Sequence, residues 1–189
     1  EQWQHNGLSS NTQHAFQVLA TNAVGDSART ASLSAWTLAA TPLAPTVGGP
    51  TVNSLDVALG GGDGNPVNTG YAIRIQPAVG GNTWVQGNGS VGATPAWQTV
   101  AVWGTRTVTG LSQGTPYAFS VQARNGANVL TAFSPEGTGT TVSGAPEMEV
   151  LGNSVPIPAG DITPSLSDHT DFGSTPVASF DVKEIIRKL

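Results

Sequence analysis

A twelve-residue segment occurs twice in this chain: Gly7-Leu8-Ser9-Ser10-Asn11-Thr12-Gln13-His14-Ala15-Phe16-Gln17-Val18 returns 103 residues later as Gly110-Leu111-Ser112-Gln113-Gly114-Thr115-Pro116-Tyr117-Ala118-Phe119-Ser120-Val121. That period restricts the fold to modules of about 100 residues, each large enough to bury a core of its own. The first copy has almost nothing before it. The spacing therefore predicts that the chain opens inside one module, contains one whole module and enters a third, with expected bounds of 1–40, 43–143 and 145–189.

Composition selects the elements that fill such modules. Gly and Pro number 24 and 13 of 189 residues, and Thr, Ser, Asn and Val are abundant, which favours short strands joined by turns over helices. Charged residues make up only 10% and the net charge is -5, so no basic surface is present to neutralise a phosphate backbone or hold an anionic membrane. Nucleic acid is excluded as a partner. Cysteine is absent, which removes a disulfide framework and a thiolate metal site while leaving both redox compartments open. The longest apolar runs fall short of a membrane span, so no membrane insertion is expected, and no signal peptide begins at Glu1. Few lysines with many Thr, Ser, Gly and Asn point to a secreted bacterial protein, extracellular or on the cell surface.

In the strands of the complete unit the hydrophobic period is two, as strands require. In the first copy, Phe16, Val18 and Ala20 alternate with Ala15, Gln17 and Leu19; the turn Asn22-Ala23-Val24-Gly25-Asp26-Ser27 follows, and 31–38 offers a second strand before the linker of Pro42 and Pro45. Two or three strands cannot close a sandwich. This fragment is expected to lean on its neighbour, pair with another copy through its exposed strands, or fray, with Trp3 and Trp36 placed to cover its bare face. In the complete unit, Leu55, Val57 and Leu59 share one face, and Tyr71, Ile73 and Ile75 share another. Further strands are expected at 83–85, 97–103, 106–109, 117–123 and 138–142. About seven short strands in about 100 residues describe an all-β, two-sheet sandwich.

On these residues the region 1–143 resembles the fibronectin type III family, an immunoglobulin-like β-sandwich. Leu111 and Tyr117 match the Leu before strand F and the Tyr that opens it. The resemblance implies a tyrosine corner, in which the ring fills the core edge and the hydroxyl satisfies a nearby backbone group. His14 stands at the equivalent position of the first copy. Ala20-Thr21-Asn22-Ala23-Val24-Gly25-Asp26-Ser27 resembles the turn between strands F and G, where Asn bonds locally and Gly accepts positive φ. Ala123-Arg124-Asn125-Gly126-Ala127-Asn128 departs from it, which implies a remodelled hairpin. Leu59 replaces the usual core Trp of strand B, and 80–95, centred on Gly87-Asn88-Gly89-Ser90, is longer than the family needs.

Residues 145–180 change character. Pro146-Glu147-Met148-Glu149-Val150-Leu151-Gly152-Asn153, Ile157-Pro158-Ala159-Gly160-Asp161-Ile162-Thr163-Pro164 and Asp168-His169-Thr170-Asp171-Phe172-Gly173-Ser174 resemble the opening of choice-of-anchor D repeats of bacterial surface and secreted proteins. That similarity implies the truncated start of a third immunoglobulin-like domain. Both lysines fall in the final nine residues, where Val182, Ile185, Ile186 and Leu189 have helical spacing. An amphipathic partner-binding turn, a shifted reading frame and an ordinary terminal segment are all open for this tail.

The supply of catalytic chemistry is thin. Three histidines and twelve acidic residues occur without cysteine, and no Gly-x-Ser-x-Gly elbow, His-Glu-x-x-His pair or phosphate loop is present. The glycine-dense run 60–64 lacks the Lys-Ser or Lys-Thr ending of a phosphate loop and reads as a plain turn. No catalytic site and no required cofactor are expected. Asp161, Asp168 and Asp171, beside His169, form the one acidic cluster able to offer oxygens to calcium, and the alternative is that they shape a turn. Trp84, Trp97 and Trp103 are the candidates for stacking on sugar rings, against a default of core or interface packing. The expected function is a non-enzymatic structural or spacer module of a secreted or surface bacterial multidomain protein, with a protein or polysaccharide partner. The alternatives are a carbohydrate-binding accessory module of a polysaccharide-degrading enzyme and a protein-protein adhesion module.

Overall fold

The computed structural model describes residues 4–144 and, beyond them, 150–152 and 155–157. The chain divides into two units, Glu1–Gly144 and Ala145–Leu189. In the second, Val150–Gly152 pairs antiparallel with Val155–Ile157, Val150 opposite Ile157. The calcium candidates Asp161, Asp168 and Asp171, the remainder of the anchor-type resemblance and the C-terminal tail lie outside the described residues.

The first unit begins with two small hairpins. Gln13–Phe16 (β1) pairs with Leu33–Trp36 (β4), His14 opposite Ala35. Between them, Thr21–Asn22 (β2) pairs with Gly25–Asp26 (β3). The Asn22 side-chain oxygen accepts from the amides of Val24 (2.8 Å) and Gly25 (3.2 Å), and Gly25 takes φ 138, closed to residues with a Cβ. This is the turn expected from the Asn-x-x-Gly spacing.

The complete sandwich follows. One sheet has the order Thr105–Thr109 (β10), Ser54–Ala58 (β6), Thr46–Gly48 (β5). The other has the order Gly137–Thr140 (β12), Pro116–Arg124 (β11), Gly70–Val79 (β7), Asn82–Val85 (β8), Val91–Gly92 (β9). Pairing within the larger sheet sets Phe119 opposite Ile75, Val121 opposite Ile73 and Ala123 opposite Tyr71; in the smaller sheet Leu55 stands opposite Val108. These inward residues, with Val57, Val85 and Trp103, form one buried cluster. Period-two alternation thus puts the expected apolar faces of this sandwich inside, and the result is an all-β immunoglobulin-like sandwich. Leu111 and Tyr117 are both buried, and the Ser112 amide donates to the Tyr117 hydroxyl at 2.9 Å, which makes the tyrosine corner. In the first copy His14 makes no such lock through Nε2, which is buried without a partner among the described residues.

One expectation is corrected here. The segment 97–103 is not a strand: Gln98 forms a single bridge to Tyr71, and Val100–Trp103 is one helical turn (α1). Thr99 caps it, its hydroxyl accepting from the Val102 amide at 3.4 Å. That turn rotates Trp103 inward, where 1% of it is exposed and its indole N–H donates to the Tyr71 carbonyl at 2.9 Å. Within the long 80–95 segment, the strand expected at 83–85 is present as β8. A Gly80-Gly81 turn with both φ positive (56° and 81°) joins β7 to β8. The 86–90 turn then docks on the opposite sheet, where the Gly89 carbonyl accepts from the Thr109 amide at 2.9 Å.

Candidate functional site

The most heavily built polar region of the first unit is where the opening hairpins meet the loop end of the sandwich. Three asparagines hold it. Asn65, in the glycine-rich loop between β6 and β7, accepts from the Ala40 amide (2.7 Å) and donates to the Ala40 carbonyl (2.9 Å), so its side chain pairs with a peptide group as a strand would. Asn11, with φ 44, donates to the Thr69 hydroxyl at 2.7 Å and accepts from the Gly126 amide at 2.9 Å. Asn125 donates to the Thr37 carbonyl at 3.0 Å, while its oxygen accepts from Ala127 and Val129 and shapes the β11–β12 loop. The Ser10 hydroxyl adds a bond to the Gly64 carbonyl at 2.6 Å. Pro42 and Pro45 of the linker are buried. Each bond is worth about 1 kcal/mol net, more where its loss strands a buried partner. The run 60–64 is therefore more than a plain turn, since it presents Gly64 and Asn65 to the preceding hairpin.

Asn65 is itself braced. Asp63 accepts from the Asn65 backbone amide (3.0 Å), from its side chain (2.8 Å) and from the Tyr71 hydroxyl (2.8 Å). Tyr71 is 3% exposed. Burial, and then the hydrogen bond and negative charge of Asp63, push its phenol up to about 12. The folded state thus holds the phenolic proton more tightly than the unfolded chain, whose tyrosines titrate near 10. Stability from this source is whole below about pH 10 and is lost as pH rises through about 12, on the order of 2 kcal/mol in total. Urea melts of wild type and Tyr71→Phe at pH 8 and pH 11.5 check this. The wild type is expected to lose more stability across that interval than the variant.

The hairpins contribute little apolar packing to this junction. Phe16 is 41% and Leu33 74% exposed, and Val18 and Leu38 are exposed as well. The fragment leans on its neighbour by hydrogen bonds, and its own apolar residues stay open to solvent. The expectation that Trp36 covers this face is corrected: its ring packs on Gly126, where a Cβ would overlap it. Trp3 lies outside the described residues.

Between hairpin and sandwich runs an open groove of about 310 Å³, lined among others by Trp36, Asn68, Trp97, Gln98, Arg124 and Asn128. Of the three tryptophans singled out for stacking, only Trp97 is here. Its ring lies 4.8 Å from the Arg124 guanidinium carbon. Trp84 is outside the groove, its ring centroid 6.1 Å from that of Phe133, over which Arg74 stacks at 3.9 Å. Trp103 is withdrawn from the stacking set, because both faces of its ring are in the core. Trp36, the second indole of the groove, and the asparagine staples were not found by sequence reasoning. Asn125-Gly126 and Asn65-Pro66 read as local turn signals, whereas their partners lie as far as 115 positions away.

No protein-family profile and no curated protein matches the chain. Similar solved structures include a fibronectin type-III domain of human fibronectin type III domain containing protein 3, at 19% identity and TM-score 0.40 over 55% of this chain and 86% of that one. The sixth such domain of that protein is similar at 16% identity and TM-score 0.39, over 57% and 89% of the two chains. The FN1-FN3 domains of chicken CNTN1 are similar at 16% identity and TM-score 0.40; 75% of this chain is covered, and 46% of the chicken one. The chain itself carries the fold class: two facing antiparallel sheets, a continuous core and a tyrosine corner define a fibronectin type III-like, immunoglobulin-like sandwich. Among the described residues no helix is long and apolar enough to cross a membrane, and no group of three His, Cys, Asp or Glu could hold a metal ion.

Proposed function

We propose that this chain is a non-enzymatic spacer segment of a secreted or surface multidomain bacterial protein, in which the junction sets a fixed angle between successive sandwiches. The observation that carries this reading is the paired hydrogen bonding of Asn65 to Ala40, at 2.7 and 2.9 Å, reinforced by Asn11 and Asn125. Successive domains move freely unless something fixes their interface. Here Asn65 and Asn125 reach from the sandwich loops to the backbone of the linker and hairpin, and Asn11 reaches back from the hairpin to the Thr69 hydroxyl and the Gly126 amide, so the two segments are joined without a large apolar contact. The low charge and the Thr, Ser, Gly and Asn surface suit an extracellular setting.

Residual dipolar couplings test the rigidity. In wild type, amides of 10–40 and of 46–142 are expected to fit one alignment tensor. In the Asn11→Ala, Asn65→Ala, Asn125→Ala triple variant the first group is expected to average to less than half its wild-type magnitude while the second is unchanged. Independent tensors in the wild type would refute the spacer reading.

A further inference from the structure

We propose that the groove between the opening hairpin and the sandwich is a binding site for an acidic oligosaccharide, a chain of pyranose rings carrying carboxylates. This goes beyond the spacer reading, though both use the same junction. The groove of about 310 Å³ is at the lower end of small-ligand clefts, and it is open, so it suits a short stretch of a longer chain. Two indoles line it. Trp36 is 36% exposed and Trp97 is partly buried, so each offers ring surface to the apolar C–H faces of a pyranose.

The polar side chains of the groove divide into two sets. Asn11 and Asn125 are engaged in holding the hairpin and form a fixed floor. The side chains of Asn68 and Asn128, both exposed, make no hydrogen bond to other described residues and remain available to hydroxyl groups, each amide offering both a donor and an acceptor. Arg124 selects the charge of the ligand. Its guanidinium carbon lies 4.8 Å from the Trp97 ring centroid, and its N–H groups make no hydrogen bond to other described residues, which leaves them available for bidentate pairing with a carboxylate. Among the described residues, no acidic side chain lines the groove to compete for it. A nucleic acid would bring the same negative charge, but one cation does not offset a phosphate backbone on a chain of net charge -5.

The cleft at the opposite sheet edge, lined by Pro77, Pro116, Thr138 and Thr140 among others, has no cation, and the one aromatic ring lining it, Tyr117, is buried. It offers neither feature.

The test is a titration of the whole chain, followed by its indole N–H resonances, with trigalacturonate, with a mannuronate trimer and with neutral cellotriose. Saturable shifts of the Trp36 and Trp97 indoles are expected with at least one acidic trimer, and binding of that trimer at least tenfold tighter than of cellotriose. Arg124→Gln is expected to weaken the acidic ligand at least tenfold and to leave any cellotriose affinity unchanged. Asn128→Gly removes a rim amide at a position of φ 62 that glycine accepts without strain, and is expected to weaken the trimer several-fold with the fold intact. Trp84→Ala, outside the groove, is expected to leave binding unchanged. The proposal is overturned if neither acidic trimer gives saturable indole shifts, if cellotriose binds as tightly, or if Arg124→Gln leaves acidic binding intact. Dipolar couplings recorded on the same samples report the rigidity of the junction separately, so failure of the groove and failure of the spacer reading give different results.

Discussion

Trp103→Ala is expected to lower the free energy of unfolding by about 3–5 kcal/mol, the range for deleting a large buried aromatic. A single domain has a total of about 5–15 kcal/mol, so the variant should be largely unfolded at modest urea concentrations. The reason is specific to this site. Trp103 is the largest fully buried side chain among the described residues, and it spans from α1 to the β7 backbone, where it donates to the Tyr71 carbonyl. Removal leaves a cavity between the two sheets and takes one donor from a carbonyl that also accepts from Gln98. Trp103→Phe separates the two contributions, since it keeps most of the volume and loses the hydrogen bond; a loss of about 1–2 kcal/mol is expected. Equilibrium urea unfolding followed by far-ultraviolet circular dichroism makes the measurement, because that signal does not depend on the tryptophan removed. A loss below about 1 kcal/mol for the alanine variant would mean that the 97–103 segment does not enter the core.

The second large effect concerns the seam where the edges of the two sheets meet. Gly139 of β12 sits opposite Tyr117 in register and faces β5 and β6. A Cβ there would lie 2.6 Å from a methyl of Val47 and 3.3 Å from one of Leu55. Gly139→Val is therefore expected to destabilise by about 1–3 kcal/mol through overpacking. Thr138→Val, one residue away on the exposed face, provides the control and is expected to be neutral within about half a kcal/mol. Amide exchange adds the location. In Gly139→Val, protection should fall first along Thr46–Gly48, because β5 is the short edge strand that must move aside. Equal loss across both sheets would instead indicate a uniformly loosened core.

The asparagine junction and the pH response of Tyr71 are linked through Asp63. Asp63 holds both the Tyr71 hydroxyl and Asn65, and Asn65 holds Ala40. An orientation fixed by short polar side chains costs little apolar area. It also places the fixing groups beside an open groove lined by two indoles and a guanidinium. The proposed spacer junction and the proposed binding groove thus draw on the same end of the sandwich.

Much of the fold is legible in the residues themselves. Period-two alternation at Leu55 and Val57, at Tyr71, Ile73 and Ile75, and at Tyr117, Phe119 and Val121 determines which face is buried, because a one-residue slip would expose the whole set. Leu111 and Tyr117 announce the tyrosine corner, and Asn22 with Gly25 announces a turn, since each of these signals acts over a few positions. The 97–103 segment misleads for a physical reason. Its apolar residues suit a strand, but the Thr99 cap starts a helical turn, and the space available to Trp103 between the sheets selects that alternative. The site is legible only in part. An asparagine in a loop has the same local preferences whether it bonds to its own turn or to a peptide group far along the chain. Which of the two Asn11, Asn65 and Asn125 do, and that Trp36 and not Trp84 joins Trp97 beside Arg124, depends on how close the hairpin comes to the sandwich. The sequence by itself determined the strand faces and the local turns of the sandwich, because these follow from nearest-neighbour sterics and the burial of apolar side chains. Only the tertiary structure decided the junction and its groove, because hydrogen bonds and ring contacts between distant segments form once the chain has brought them within about 3–5 Å.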